Sequence, residues 1–100
     1  MILYNVTVGI DSDAEQEWLE WMKKVHIPKV MATGMFQRYD LYKVLSQEGE
    51  GASYSIQYIS DSMEKVEQYL NDFAPALVKE HLERYRNKHV AFRTLLEKVG

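Results

Sequence analysis

A chain of 100 residues and 11.7 kDa lies near the commonest size for one domain and is too short for two independent cores. With 46% apolar residues it has the material for a buried interior, which excludes an intrinsically disordered segment. Twelve basic against fifteen acidic side chains leave a net charge of −3, which counts against a sequence-independent nucleic-acid binder, and the absence of cysteine excludes disulfides, thiol nucleophiles and thiolate metal sites.

Residues 1–10 alternate Ile2, Tyr4, Val6, Val8 and Ile10 against Leu3, Asn5, Thr7 and Gly9, the period of a strand with one apolar side. Asp13-Ala14-Glu15-Gln16 fits a capping box, and Ala14, Trp18, Trp21, Met22 and Val25 then follow helical spacing. Pro28 disfavours the helical conformation at Ile27, so this helix is expected to end near His26, with a short turn reaching Gly34. Met35 to Leu45 reads as a long strand and Ser46 to Gly51 as a polar hairpin loop. Ser53 to Ile59 is the returning strand, with Tyr54, Ile56 and Tyr58 on one side. Asp61-Ser62-Met63-Glu64 forms a second capping box with Asp61 as cap, and Met63, Val66, Leu70 and Phe73 continue as an amphipathic helix. A kink or break is expected at Ala74, before Pro75, with helical spacing resuming through Leu77, His81 and Tyr85. Lys88 to Glu97 is the last strand. No linker or repeat divides the chain, so a single domain over 1–100 is expected.

Strand, helix, strand, strand, helix, strand is a pair of split βαβ units. Right-handed crossovers place both helices on one face of a four-stranded antiparallel sheet, an α+β, ferredoxin-like arrangement. The other face has no helix to cover it. Taking the even, apolar positions of the first and last strands as helix-facing, the open face carries Leu3, Asn5, Thr7, His89, Ala91, Arg93 and Leu95, with Ser53, Ser55, Gln57 and Ile59 from the third strand. For the second strand neither alternation is clean, and the choice of face stays open. Large side chains left in water on such a face favour pairing with a second copy. A homodimer through the open sheet face is therefore expected.

Four stretches, MILYNVTVGID, EWLEWMKKVHIPKVMATGMF, SYSIQYISDSMEKVEQYLNDFAPAL and VAFRTLLE, together resemble a bacterial domain-of-unknown-function family of the dimeric α/β-barrel group. The resemblance implies the same fold and a dimer, and it carries no catalytic residues. The wider group includes cofactor-free and haem-degrading monooxygenases and small isomerases, which use a cavity between sheet and helices. Asn5, His81 and Tyr69 resemble the Asn, His and Trp set of the haem-degrading members, with tyrosine in place of tryptophan.

Five residues are candidates for ligand binding: Asn5, His26, Gln57, His81 and Arg93. His26 reads either as an acid–base group or as a helix-end residue satisfied by carbonyls. His81 reads either as a cleft histidine or as part of an amphipathic face. Arg93, converging with Gln57, Asn5 and Thr7, would hold a carboxylate or phosphate, or else pair with an acid across an interface. Lys79, Arg84, Arg86, Lys88 and Arg93 concentrate positive charge near the end, without the aromatic pattern of an RNA-binding sheet, and read as a solvated helix end. His26, His81 and His89 lack metal-ligand spacing, and no phosphate loop or nucleophile elbow is present. No catalytic residue, metal or cofactor is assigned. The expectation is a cytoplasmic homodimeric binding or structural module, with a possible small-molecule ligand and no nucleic-acid or membrane partner. The alternative is a small oxygenase or isomerase using His26 or His81 as acid–base and Asn5 and Arg93 to orient substrate.

Overall fold

The sheet is organised by its first strand. In the computed structural model, which describes residues 1–46, 49 and 51–100, β1 (Ile2–Ile10) lies between two antiparallel neighbours. It pairs with β3 (Ala52–Ser60) from Ile2↔Ser60 to Ile10↔Ala52, and with β4 (His89–Glu97) from Ile2↔Glu97 to Ile10↔His89. β2 (Arg38–Lys43) pairs with the outer side of β3, giving the order β2-β3-β1-β4. This is the ferredoxin-like topology that the element order predicts. Of the expected hairpin loop, Gln47, Glu48 and Glu50 lie outside the described residues.

Both helical connections cover the even side of β1. Trp18 packs on Tyr54 of β3 at 5.1 Å between ring centroids, and Tyr69 packs on Tyr4 of β1 at 5.8 Å. Between these layers Trp18, Ile27, Ile56, Val8, Val30 and Val66 are fully buried. Phe36, just before β2, closes one end against Tyr4, Tyr58 and Tyr69.

The helices depart from the sequence reading in an instructive way. The first does not stop at His26. It runs as α1 (Glu15–Trp21), a π-helical turn over Met22–His26, and α2 (Ile27–Ala32), with the Ile27 N–H donating to the Met22 carbonyl. The second repeats the device: α3 (Met63–Gln68), a π turn over Tyr69–Phe73, and α4 (Ala74–Arg84), with the Ala74 N–H donating to the Tyr69 carbonyl. Pro28 and Pro75 each follow a wide turn by two residues. A proline inside a regular helix lacks a donor and presses its ring on the carbonyl four residues back. The wide turn changes that spacing, so the chain stays helical. Two caps also differ. Ala14 is the first N-cap and has no polar side chain to cap with, while Asp13 pairs with Lys88 at 2.8 Å. At the second helix Ser62, not Asp61, accepts from the Lys65 N–H at 3.2 Å.

β2 is shorter than expected, and its register settles the open question of its faces. Arg38, Asp40 and Tyr42 stand opposite Ile59, Gln57 and Ser55 on the open side, while Tyr39 and Leu41 face the helices. The larger correction concerns β4. Register with β1 sets His89, Ala91, Arg93 and Leu95 opposite Ile10, Val8, Val6 and Tyr4, so these four face the helix layer. Val90, Phe92, Thr94 and Leu96 take the open face. Antiparallel partners share a face, and β1 must bury Tyr4, Val8 and Ile10, so the parity of β4 follows from its neighbour rather than from its own apolar alternation. Gly9 makes room for this, since a Cβ there would lie 3.1 Å from Val90 Cγ2.

Candidate functional site

The correction to β4 brings three of the candidate residues together and removes two. Arg93, His81 and His26 line one small cavity between the sheet and the helices, with Tyr4, Tyr69 and Val78 among its other walls. Asn5 and Gln57 lie on the opposite face of the sheet, so the expected convergence of Arg93 with Asn5, Thr7 and Gln57 does not occur.

The local sequence positions each imidazole. His26 ends the first π turn, where its ring lies 5.2 Å from Trp21 and 5.7 Å from His81. His81 sits in the last turns of α4, one helical step before Tyr85. The Trp18 indole N–H donates to His81 Nε2 at 2.9 Å in a buried contact. Indole nitrogen is a donor only, so His81 must be neutral with its proton on Nδ1. His89 opens β4, stands edge-on to His81 at 4.5 Å, and directs Nδ1 at the Tyr85 carbonyl at 2.9 Å, which makes that nitrogen the protonated one. His26 Nδ1 is buried without a hydrogen-bond partner among the described residues.

Burial sets the charge state of this cluster. It lowers His26 from 6.5 to about 4, with Glu80 opposing and Lys29 and Arg93 adding to the shift. It lowers His81 to about 3, reinforced by His89, His26 and Arg93. Tyr4 is raised by burial, partly offset by the Arg93 guanidinium beside its hydroxyl. Both imidazoles are therefore neutral at pH 7, and Arg93 is the cation of the cleft. A general base works best with a pKa near the working pH. Groups at about 3 and 4 are too weakly basic for that task. The cavity is about 30 Å³, room for a water molecule and far below the roughly 300 Å³ at which small-molecule pockets begin.

The residues present do not fit a haem site of the kind the sequence resemblance suggests. Asn5 is on the far side of the sheet from His81, and His81 Nε2 already accepts from Trp18. Among the described residues no group of three or more His, Asp or Glu is placed to hold a metal ion, and no helix is long and apolar enough to cross a membrane.

On the open face a polar centre is linked to itself. Asn5 Nδ2 donates to Thr7 Oγ1 at 2.9 Å, Ser55 Oγ donates to Asn5 Oδ1 at 2.6 Å, and Gln57 Nε2 donates to Ser55 Oγ at 3.3 Å. Around it stand Val90, Phe92, Leu96 and Tyr42, which are 72, 62, 50 and 53% exposed.

With this geometry in view, the model for the domain of unknown function DUF4286 matches residues 1–99. The chain belongs to this family. No curated protein is significantly similar to it. Among solved structures, HapK from Hahella chejuensis superposes with a TM-score of 0.74 at 10% identity, covering 100% of this chain and 94% of that one. A Deinococcus radiodurans protein described as a candidate antibiotic biosynthesis monooxygenase gives 0.71 at 17%, covering 100% and 94%. A dimeric ferredoxin-like protein from an uncultured marine organism gives 0.71 at 16%, covering 100% and 96%. At these identities the likeness shows a shared fold and leaves activity to each site.

Sequence reasoning missed the Trp18–His81 hydrogen bond and the place of His89 in the cleft. The spacing of Trp18 and Trp21 marked an apolar helix face but carried no information on which ring would meet a histidine 63 positions away. For His89 and Arg93 a signal existed: strand pairing with β1, whose buried parity was already legible.

Proposed function

We propose that this DUF4286 protein is a homodimeric binding module in which two copies pair through their open sheet faces. The observation that carries this reading is the ring of exposed Val90, Phe92, Leu96 and Tyr42 around a hydrogen-bonded polar centre. Because Asn5, Thr7, Ser55 and Gln57 already satisfy one another, covering them costs less than burying the same groups unpaired. The residual donors and acceptors of Gln57, with Arg38 and Asp40 nearby, would fix the register of the two faces. The dimeric ferredoxin-like neighbour of the same fold supports a two-copy assembly. A binding module is preferred to a cleft enzyme because the two imidazoles are poorly basic and the cavity beside them is small.

The test is the mass of the particle in solution. Phe92 is 62% exposed, so with about 200 Å² for a whole phenylalanine it offers about 120 Å², or about 3 kcal/mol per copy on burial. A two-fold interface contains the residue twice, so Phe92→Asp should weaken pairing by at least about a hundredfold. Sedimentation velocity at micromolar concentration should show twice the chain mass for the native protein and the single mass of 11.7 kDa for Phe92→Asp, with unchanged circular dichroism. A native particle of single mass would overturn the reading.

A further inference from the structure

Between α4 and the outer edge of β4 runs a groove of about 460 Å³, which meets the open face only at Val90 on its rim. Its walls include Val78, His81, Leu82, Arg86, His89 and Arg93, and among the described residues no carboxylate lines it. That is unusual for a chain with three more acids than bases. The neighbouring cations are neutralised: Lys79 by Glu83, Arg84 by Glu17, Lys88 by Asp13 and Lys29 by Glu80. Among the described residues Arg86 and Arg93 form no ion pair. Arg93 also lines the inner cavity, as do Val78 and His81, so the guanidinium stands where the groove meets the interior.

We propose that this groove binds a small oxyanion with an apolar body, its anionic end held by Arg93 and Arg86 and its body laid against Val78 and Leu82. A guanidinium presents a planar fork of donors that matches the two oxygens of a carboxylate or a phosphate ester. The inner cavity of about 30 Å³ is too small for a ring, so the body stays in the groove, whose volume suits a small-molecule ligand. The four residues that would hold the ligand, Val78, Leu82, Arg86 and Arg93, all lie off the open face, so pairing through that face touches the groove only at Val90.

Two-dimensional NMR of the full chain, titrated separately with benzoate, phenyl phosphate, inorganic phosphate and benzyl alcohol, tests it. Saturable shifts confined to residues 78–93 are expected with benzoate, phenyl phosphate or both, and the tighter of the two identifies the oxyanion. Arg93→Gln should weaken that binding about tenfold or more, and Arg86→Gln should weaken it in the same direction. Lys23→Gln, at an exposed position outside the groove, should leave it unchanged. Equal response to benzyl alcohol would overturn the proposal by showing that charge plays no part. Equal response to inorganic phosphate would reduce the groove to an adventitious ion site only, and no saturable shift with either aromatic anion would remove it.

Discussion

Two buried neutral histidines make acid a specific stress on this protein. His26 and His81 titrate near 6.5 when unfolded but are held at about 4 and about 3 in the native state, chiefly by burial. The unfolded chain therefore binds protons that the native chain refuses, and stability is unaffected above pH 6.5 and falls as the pH drops below it. Each group costs about 1.4 kcal/mol per pH unit until its native value is reached, so at about pH 5 the pair has removed about 4 kcal/mol. Against a total of about 5–15 kcal/mol for a domain, that is a large fraction. Asp13, Glu15 and Glu17 are also held low, by Lys88, Tyr54 and Tyr85 respectively, but their loss comes below their ordinary values of 3.8 and 4.5. The interval from about pH 5 to 6.5 thus reports mainly on imidazole. Urea unfolding at fixed protein concentration at both ends of that interval is the assay. His81→Gln retains an acceptor for Trp18 and should cut the pH-dependent loss by about half. His26→Phe should do the same from the other site. Equal pH slopes for the native protein and both variants would refute the reasoning.

Three further outcomes follow from the packing. Trp18→Phe removes the donor to His81 Nε2 and should lower stability by about 1–3 kcal/mol in thermal unfolding, while the His81 titration seen by NMR moves upward. Gly51→Ala forces a side chain onto backbone at φ +84° with its Cβ 2.7 Å from the Ile10 carbonyl oxygen, and chemical denaturation should show a loss of about 1–3 kcal/mol. Ser62→Ala deletes the cap on the Lys65 N–H and should cost about 1 kcal/mol by the same measurement, whereas Asp61→Ala, at an exposed position outside the cap, should cost less.

The fold was largely legible because its strands announce themselves. Ile2 to Ile10 and Ser53 to Ile59 alternate cleanly, and both faces were read correctly from that alternation alone. β4 was misread for a physical reason. It is an edge strand reached only in part by the helix layer, so its large apolar residues need not face inward, and Phe92 and Leu96 remain in contact with water. That one inversion moved Arg93 and His89 from the open face into the cleft. At Pro28 the expected helix end is absent, and at Pro75 the expected kink takes the form of a wide turn, because residue-by-residue rules set a proline against a regular helix and this chain supplies an irregular one. His26 and His81 could be named from sequence as candidates, but their charge state depends on burial and on Trp18, which only the folded chain brings near.

Each wide turn contains one residue more than a regular coil would need. A single deletion within Tyr69–Phe73 would let the rod close into ordinary α-helix, and the far half would keep its direction, because five residues of a wide turn sweep about the same arc as four of a regular one. His81 would still meet Trp18, but Pro75 would now follow a regular turn and press its ring on the carbonyl four residues back. The surplus residue is therefore what lets a proline sit inside the rod, and a shortened chain should keep its cleft while straining the helix at that point.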